Sequence, residues 1–93
     1  MVFVFKNHMK PLSKTWKRRD GNLYKKYTFG NFKQAISFVN KIADYAEKVQ
    51  HHPELRIGYS TVEVYLKSHD VNKITKKDVT SAKHYDKLIK GDE

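Results

Sequence analysis

The feature that most constrains the fold of this chain is a helical pattern over residues 32–50. Apolar residues recur there at spacings of three and four, which places them along one side of an α-helix. Pro53 ends the helical region, because the residue before a proline is pushed towards extended geometry. Such a helix must bury its apolar side against a second layer of structure. That side is formed by Phe32, Ala35, Ile36, Val39, Ile42, Ala43, Ala46 and Val49.

Two aromatic residues, Phe38 and Tyr45, widen the apolar side of this helix to about half of its circumference. A surface helix of a monomeric domain needs a narrower apolar stripe. The pattern leaves two explanations open. Either both rings reach back over the edge of their own core, or the helix contacts another subunit.

The second layer is predicted from pairs of strands on either side of the helix. Residues 15–19 and 23–29 are extended segments separated by Asp20-Gly21-Asn22, whose glycine and asparagine tolerate the positive φ of a hairpin turn. Residues 55–59 and 61–68 show the alternation of apolar and polar residues that is typical of half-buried strands.

A second helix is predicted to begin near Thr75, because Thr75-Lys76-Lys77-Asp78 resembles a capping box with aspartate in place of glutamate. The order strand, strand, helix, strand, strand, helix predicts an α+β fold. In this fold a four-stranded antiparallel sheet carries the helices on one face. The length of 93 residues suits one domain, residues 1–93, with an irregular N-terminal segment over residues 1–13.

Composition excludes several classes of protein. The chain has no cysteine, which rules out a disulfide framework, thiolate catalysis and thiolate zinc sites. Its longest apolar run, residues 1–5, is far shorter than the roughly 20 residues of a membrane helix. We therefore expect a soluble cytoplasmic protein with no membrane partner.

The formal net charge of +9 would suit a nucleic-acid partner or anionic ligands. The lysines are spread along the chain, however, and only Lys17, Arg18 and Arg19 form a tight cluster. Tyr24 and Tyr27, which could stack on bases, are predicted to lie on opposite faces of their strand. We therefore interpret the charge as a solvated surface and a nucleic-acid partner as the weaker hypothesis.

Three histidines are the candidates for chemistry. His51 and His52 are adjacent just beyond the end of a helix, and His69 follows a predicted strand. Imidazole transfers protons readily near neutral pH, because its ordinary pKa is about 6.5. The plain alternative is that all three are polar surface residues. The histidines show no HxH or HxxxH spacing, so we predict no metal site.

The three histidines belong to a longer pattern. It consists of Glu47, His51-His52-Pro53, Tyr59, Ser68-His69 and Asp78, preceded by Trp16, Asp20-Gly21, Tyr27, Phe29, Phe32, Ala35 and Phe38. This pattern resembles the pterin-4a-carbinolamine dehydratase family over residues 16–88. The double histidine, the spaced third histidine and the later aspartate are specific in combination, although no one of them would be.

The resemblance implies an activity and its partners. The expected reaction is the dehydration of 4a-hydroxytetrahydrobiopterin or a related pterin to a quinonoid dihydropterin, which recycles the cofactor of aromatic amino acid hydroxylases. No metal or organic cofactor is implied, and a homodimer or homotetramer is expected. Some members are dimerisation cofactors of hepatocyte nuclear factor, a homeodomain transcription factor. A transcription-factor partner and a nuclear location are therefore the second expectation.

The resemblance also implies roles for individual residues. His52 and His69 are expected to flank the 4a-hydroxyl group as acid and base, with His51 assisting or binding. Asp78 suits helix capping as well as the family pattern, so we expect it to support the pocket. The expected substrate-binding residues are Glu47, Gln50, His51, His52, Pro53, Lys67, Ser68, His69 and Asp70.

The pocket rim departs from the family pattern, which leaves the substrate preference open. Leu55 stands where many relatives carry an aromatic residue, and Lys77 where many carry an arginine. The alternative function is a non-catalytic, dimerising protein-binding module. Such a module needs the wide apolar side of the first helix but no histidine chemistry.

Overall fold

The computed structural model describes residues 12–90. The strands are β1 (Lys17–Arg19), β2 (Asn22–Thr28), β3 (Glu54–Ile57) and β4 (Thr61–Leu66). The helices are α1 (Phe32–Val49) and α2 (Lys76–Lys90). Of the predicted irregular segment, residues 1–11 lie outside the described residues. No helix between residues 12 and 90 is long and apolar enough to cross a membrane.

The four strands form one antiparallel sheet in the spatial order β1-β2-β4-β3. Between β1 and β2, Arg19 pairs with Asn22, so the turn has Asp20 and Gly21 at its centre. Their φ values are 51° and 80°. Two consecutive positive φ values are typical of a type I′ turn, whose twist matches that of the flanking strands. Asn22, predicted as part of the turn, is instead the first residue of β2.

The helices cover one face of the sheet, and the core lies between these two layers. Val62, Val64 and Leu66 of β4 are fully buried in it, as their alternation predicted. The core residues of α1 recur at spacings of three and four, namely Ala35, Phe38, Ile42 and Ala46. The predicted α+β fold, with its order of two strands, helix, two strands, helix, is confirmed.

The Asp86 side chain ties α2 to the first half of the chain. Its carboxylate accepts hydrogen bonds from Trp16 Nε1 at 3.1 Å, Lys25 Nζ at 2.8 Å and the Tyr27 hydroxyl at 2.6 Å. Burial, and then the hydrogen bond to Asp86, raise the pKa of Tyr27 far above its ordinary value, so its hydroxyl stays a donor. These contacts hold α2 against the sheet.

The two aromatic residues that widen the apolar side of α1 both pack within their own domain. Phe38 is buried, with its ring centroid 4.6 Å from that of Tyr27 and 5.3 Å from that of Phe29. Tyr45 is half-buried and stacks on His84 of α2, with ring centroids 3.8 Å apart and ring planes 12° apart. Of the two explanations left open by the sequence, packing over the domain's own core accounts for both rings.

The sheet face without helices carries a row of aromatic and cationic side chains. Tyr24 of β2 pairs with Tyr65 of β4, and their ring centroids are 4.9 Å apart. The guanidinium groups of Arg19 and Arg56 lie over the Tyr24 and Tyr65 rings, at 4.1 Å and 5.0 Å from the centroids. Tyr27 faces the core instead, so Tyr24 and Tyr27 lie on opposite faces, as predicted.

Candidate active site

The backbone conformation at the end of α1 determines where the two adjacent histidines, His51 and His52, lie. Gln50 adopts the left-handed conformation, with φ 53° and ψ 46°, and its N–H donates to the Ala46 carbonyl. The His51 N–H donates to the same carbonyl at 3.2 Å. This left-handed cap ends the helix and turns the chain. His51 and His52 therefore leave α1 side by side and contact different carboxylates.

His51 is paired with Asp78, which lies in the first turn of α2. The Nε2 atom of His51 is 2.6 Å from Oδ1 of Asp78. The Asp78 side chain is fully buried, and that of His51 is 13% exposed. A buried carboxylate is unfavourable unless hydrogen bonds satisfy it, so this pair depends on the other donors around Asp78.

Two further donors complete the surroundings of Asp78. Its Oδ2 atom accepts hydrogen bonds from the Ser68 hydroxyl at 2.9 Å and from the Thr75 N–H at 2.8 Å. The bond from Thr75 is the returning half of a capping box, in which the third helical residue binds the N-cap backbone. The Ser68 and Thr75 hydroxyl oxygens are 2.6 Å apart. Asp78 therefore both caps α2 and contacts His51.

His52 is paired with Glu47, in the last turn of α1. Its Nε2 atom is 2.6 Å from Oε2 of Glu47. Unlike the buried His51–Asp78 pair, this pair faces solvent, with the His52 side chain 52% and the Glu47 side chain 73% exposed. The two neighbouring imidazoles thus each have a carboxylate on Nε2, one in the interior and one at the surface.

His69 lies in a tight turn after β4. The turn is closed by hydrogen bonds from the Ser68 N–H to the Lys73 carbonyl at 3.0 Å and from the Lys73 N–H to the Ser68 carbonyl at 3.3 Å. The His69 side chain is exposed, and among residues 12–90 its ring forms no hydrogen bond. Its neighbour Ser68 is bonded to Asp78, so the His69 turn and the His51 pair share one buried carboxylate.

Two cavities, each of about 270 Å³, lie beside this network. One is lined by His51 together with Tyr45 and Val49 of α1. The other is lined by the His69 turn and the start of α2, and includes Ser68, Asp70, Val71 and Thr75. Lys76 and Lys77 line both cavities. The start of α2 is therefore a shared wall between them.

The other residues expected to bind substrate have varied surroundings. Gln50 is an exposed helix cap whose Nε2 donates to the Glu47 carbonyl at 2.7 Å. Pro53 and Lys67 are half-buried. Ser68 is almost fully buried, and its hydroxyl is engaged by Asp78 and Thr75.

The sequence pattern placed Lys77 at the pocket rim, but it did not indicate Thr75 and Lys76 as site residues. The capping-box pattern was the available signal, because it placed Thr75 and both lysines in the turn that contains Asp78. The lining of the cavities by these lysines depends on how α2 packs against the His69 turn. That packing has no local signature in the sequence.

The arrangement suits proton transfer. A hydrogen bond between Nε2 and a carboxylate fixes the ring and leaves Nδ1 to accept or donate a proton. Both His51 and His52 have this arrangement. Within residues 12–90, no group of three or more His, Asp or Glu side chains is placed to hold a metal ion.

The structure is a small α+β domain with two imidazole–carboxylate pairs at the end of α1, one of which joins α1 to α2. The chain belongs to the family described as pterin 4 alpha carbinolamine dehydratase, whose sequence model matches residues 4–88. The resemblance inferred from the sequence pattern is thereby confirmed.

Several relatives are similar over most of the chain. A protein of Thermosynechococcus vestitus, provisionally named pterin-4-alpha-carbinolamine dehydratase, is 44% identical over 68 residues, which are 73% of this chain and 72% of the relative. A protein of Mycobacterium leprae with the same provisional name is 42% identical over 74 residues, or 80% of this chain and 79% of the relative.

Solved structures share the fold. The crystal structure of a transcriptional coactivator/pterin dehydratase from Brucella melitensis superposes with a TM-score of 0.79 at 29% identity, covering 90% of both chains. A pterin dehydratase-like protein, described as a RuBisCO assembly factor in the alpha-carboxysome, has a TM-score of 0.66 at 21% identity and covers 87% of this chain and 92% of its own. At that identity the second likeness concerns the fold alone.

Proposed function

We propose that this protein removes water from a 4a-hydroxytetrahydropterin, such as 4a-hydroxytetrahydrobiopterin, by histidine acid–base catalysis. The observation that carries the proposal is the pair of adjacent imidazoles, each bonded through Nε2 to its own carboxylate at 2.6 Å. A protein that used this surface only for binding would not need two oriented imidazoles. Membership of the dehydratase family supplies the substrate class.

The reaction needs two proton transfers. An acid protonates the hydroxyl group on C4a, so that the C–O bond breaks and water leaves. A base accepts a proton from a ring nitrogen, and the product is the quinonoid dihydropterin. The two transfers balance, so the protein gains no net proton, and each contributes roughly 10²–10⁴-fold to the rate.

We assign the acid and base roles to His52 and His69, which are both exposed and can reach a substrate from solution. His51 is held by the buried Asp78 and lines a cavity, so we assign it to orient and bind the pterin ring. Glu47 fixes the His52 ring, and Ser68 supports the network through Asp78. Gln50, Pro53, Lys67 and Asp70 complete the proposed binding surface.

The test is a stopped assay of 4a-carbinolamine dehydration with and without EDTA. We expect the protein to accelerate the reaction above its spontaneous rate to the same extent in both conditions. A rate equal to the spontaneous one would refute the proposed function. Loss of the acceleration in EDTA would refute its metal-free mechanism.

The second candidate is a non-catalytic protein-binding module that dimerises. Exposed apolar residues at the two opposite ends of α1 favour it, since Phe32 is 49% and Val49 is 41% exposed. The Brucella protein, described as a transcriptional coactivator/pterin dehydratase, shares the fold. Light scattering on the wild type and on a Phe32→Ser/Val49→Ser variant tests it, because a dimer that buries either end of α1 should dissociate in the variant.

A further inference from the structure

Two lysines begin α2, at the end of the helix where cations are least favourable. The aligned peptide dipoles give a helix N-terminus a partial positive charge, which favours acidic residues and opposes lysine. Lys76 and Lys77 are nevertheless the first two residues of α2, and both are exposed. Among residues 12–90 neither ammonium group forms an ion pair. Helix stability does not explain their position.

These two lysines also line both cavities of the candidate active site. Each cavity has a volume of about 270 Å³. A pterin has a bicyclic ring and a side chain at C6, and the lysines lie between the two spaces that could receive them. A ring beside His51 would then extend its side chain past the two ammonium groups.

We propose that Lys76 and Lys77 bind an anionic group, a phosphate or a carboxylate, on the side chain of the pterin substrate. This inference rests on the proposed dehydratase function, whose substrate class it narrows. Lysine binds such groups as a mobile point charge, which suits an anion at the end of a flexible side chain. Asp70 lines only the far cavity, and its carboxylate opposes an anion deeper in that cavity, so we place the charged group beside the two ammonium groups.

The carboxylate of the same turn, that of Asp78, forms no ion pair with Lys76 or Lys77 within residues 12–90. Asp78 is fully buried and accepts hydrogen bonds from three other groups, those of His51, Ser68 and Thr75. The formal net charge of +9 adds a long-range attraction for anionic substrates. The two lysines thus present exposed positive charge to both cavities.

The experiment compares three 4a-hydroxytetrahydropterins that differ only in the end of the C6 side chain, which is an alcohol, a phosphate monoester or a carboxylate. The measured quantity is the ratio of kcat/KM for each anionic substrate to that for the alcohol. We expect this ratio to exceed one in the wild type. We expect it to fall about tenfold in Lys76→Ala/Lys77→Ala, mainly through KM. A larger fall for one anion identifies which of the two the site prefers.

Two further variants make the result specific. Lys26→Ala/Lys33→Ala removes the same charge from exposed positions that line neither cavity, and should leave the ratio within twofold. Lys76→Glu/Lys77→Glu should bring the ratio below one, and its acidic residues suit the start of α2, so the variant should fold. Equal ratios in the wild type and both α2 variants, or an equal fall in the control, would overturn the proposal.

Anion binding by Lys76 and Lys77 can be tested separately from dehydratase activity. If no substrate is dehydrated faster than its spontaneous rate, the dehydratase proposal fails, but binding remains measurable. Titration calorimetry then measures the affinity of the protein for unreactive dihydropterins that bear the phosphate or the alcohol. Tighter binding of the phosphate form that is lost in Lys76→Ala/Lys77→Ala supports the anion site. Equal affinity for both forms, or no binding, contradicts it.

Discussion

The Nε2 atom of His51 lies 2.6 Å from Oδ1 of Asp78, a carboxylate with no exposed surface. The two residues are 27 positions apart in the chain, one after α1 and the other in the first turn of α2. Their contact joins the two helices at the point where the candidate active site lies. The order of the site and the stability of the domain are therefore coupled through one side chain.

Asp78→Asn should lower both stability and activity. The amide has only one acceptor oxygen, so it cannot accept from His51 and also from Ser68 and Thr75 as the carboxylate does. Leaving one buried donor unpaired costs about 1–3 kcal/mol, which urea unfolding would measure. Asp44→Asn, on the exposed side of α1, is the control. Equal unfolding midpoints for Asp78→Asn and the control would contradict the buried network.

Glu47→Gln should separate stability from activity. The Glu47–His52 pair is largely exposed, and such pairs contribute at most about 1 kcal/mol. We therefore expect little change in the urea midpoint, but a fall in kcat/KM for dehydration of between about tenfold and a hundredfold, because a neutral amide holds the His52 ring and its protonated form more weakly than a carboxylate does. Unchanged kcat/KM in a folded variant would remove Glu47 and its pairing from the mechanism.

His84 should make the domain less stable in mild acid. Burial, and then the nearby Lys87 and Lys48, lower the pKa of His84 below its ordinary value of 6.5. The unfolded chain then binds more protons than the folded one, so this stability is present above about pH 6.5 and is lost as pH falls towards the folded-state pKa. Thermal unfolding between pH 5 and 8 should show a smaller decrease in Tm for His84→Asn than for the wild type. Parallel pH profiles for the two proteins would refute this contribution.

Gly21→Ala should destabilise the β1–β2 hairpin through its backbone alone. Gly21 has φ 80°, and a Cβ added there meets no atom within 4 Å. The cost is therefore that of the left-handed conformation, about 1–2 kcal/mol. Gly21→Asn should cost less, because asparagine tolerates this region. Thermal unfolding of the two variants would test the turn, and an equal loss of Tm in both would point to a cause other than φ.

The layers of the fold were predictable from the sequence because their signals are local. A period of two indicates which side of a strand faces the core, as it does for Val62, Val64 and Leu66. Helical spacing does the same for Ala35 and Ile42. The same alternation predicts an exposed Tyr65, which is instead only 8% exposed. Its burial comes from cross-strand neighbours, Tyr24 and the Arg56 guanidinium, which the period of one strand does not reveal.

The candidate site was predictable in its residues but not in its connections. The sequence pattern brought His51, His52, His69 and Asp78 together as candidates. The pairing of each histidine with its carboxylate depends on the left-handed cap at Gln50 and on the packing of α2. Neither feature can be read from a local sequence pattern. Asp78 is the clearest example. The sequence predicted it as a helix cap that supports the pocket, but not its contact with His51, which comes from the packing of α2.

The most direct measurement is kcat/KM for 4a-carbinolamine dehydration in single histidine variants. We predict that His52→Ala and His69→Ala each lose at least about a hundredfold. His84→Ala, whose ring lines neither cavity of the candidate site, should retain activity within a fewfold and serves as the control. Circular dichroism would verify that all three variants are folded. Wild-type activity in His52→Ala or His69→Ala would contradict the proposed acid–base catalysis.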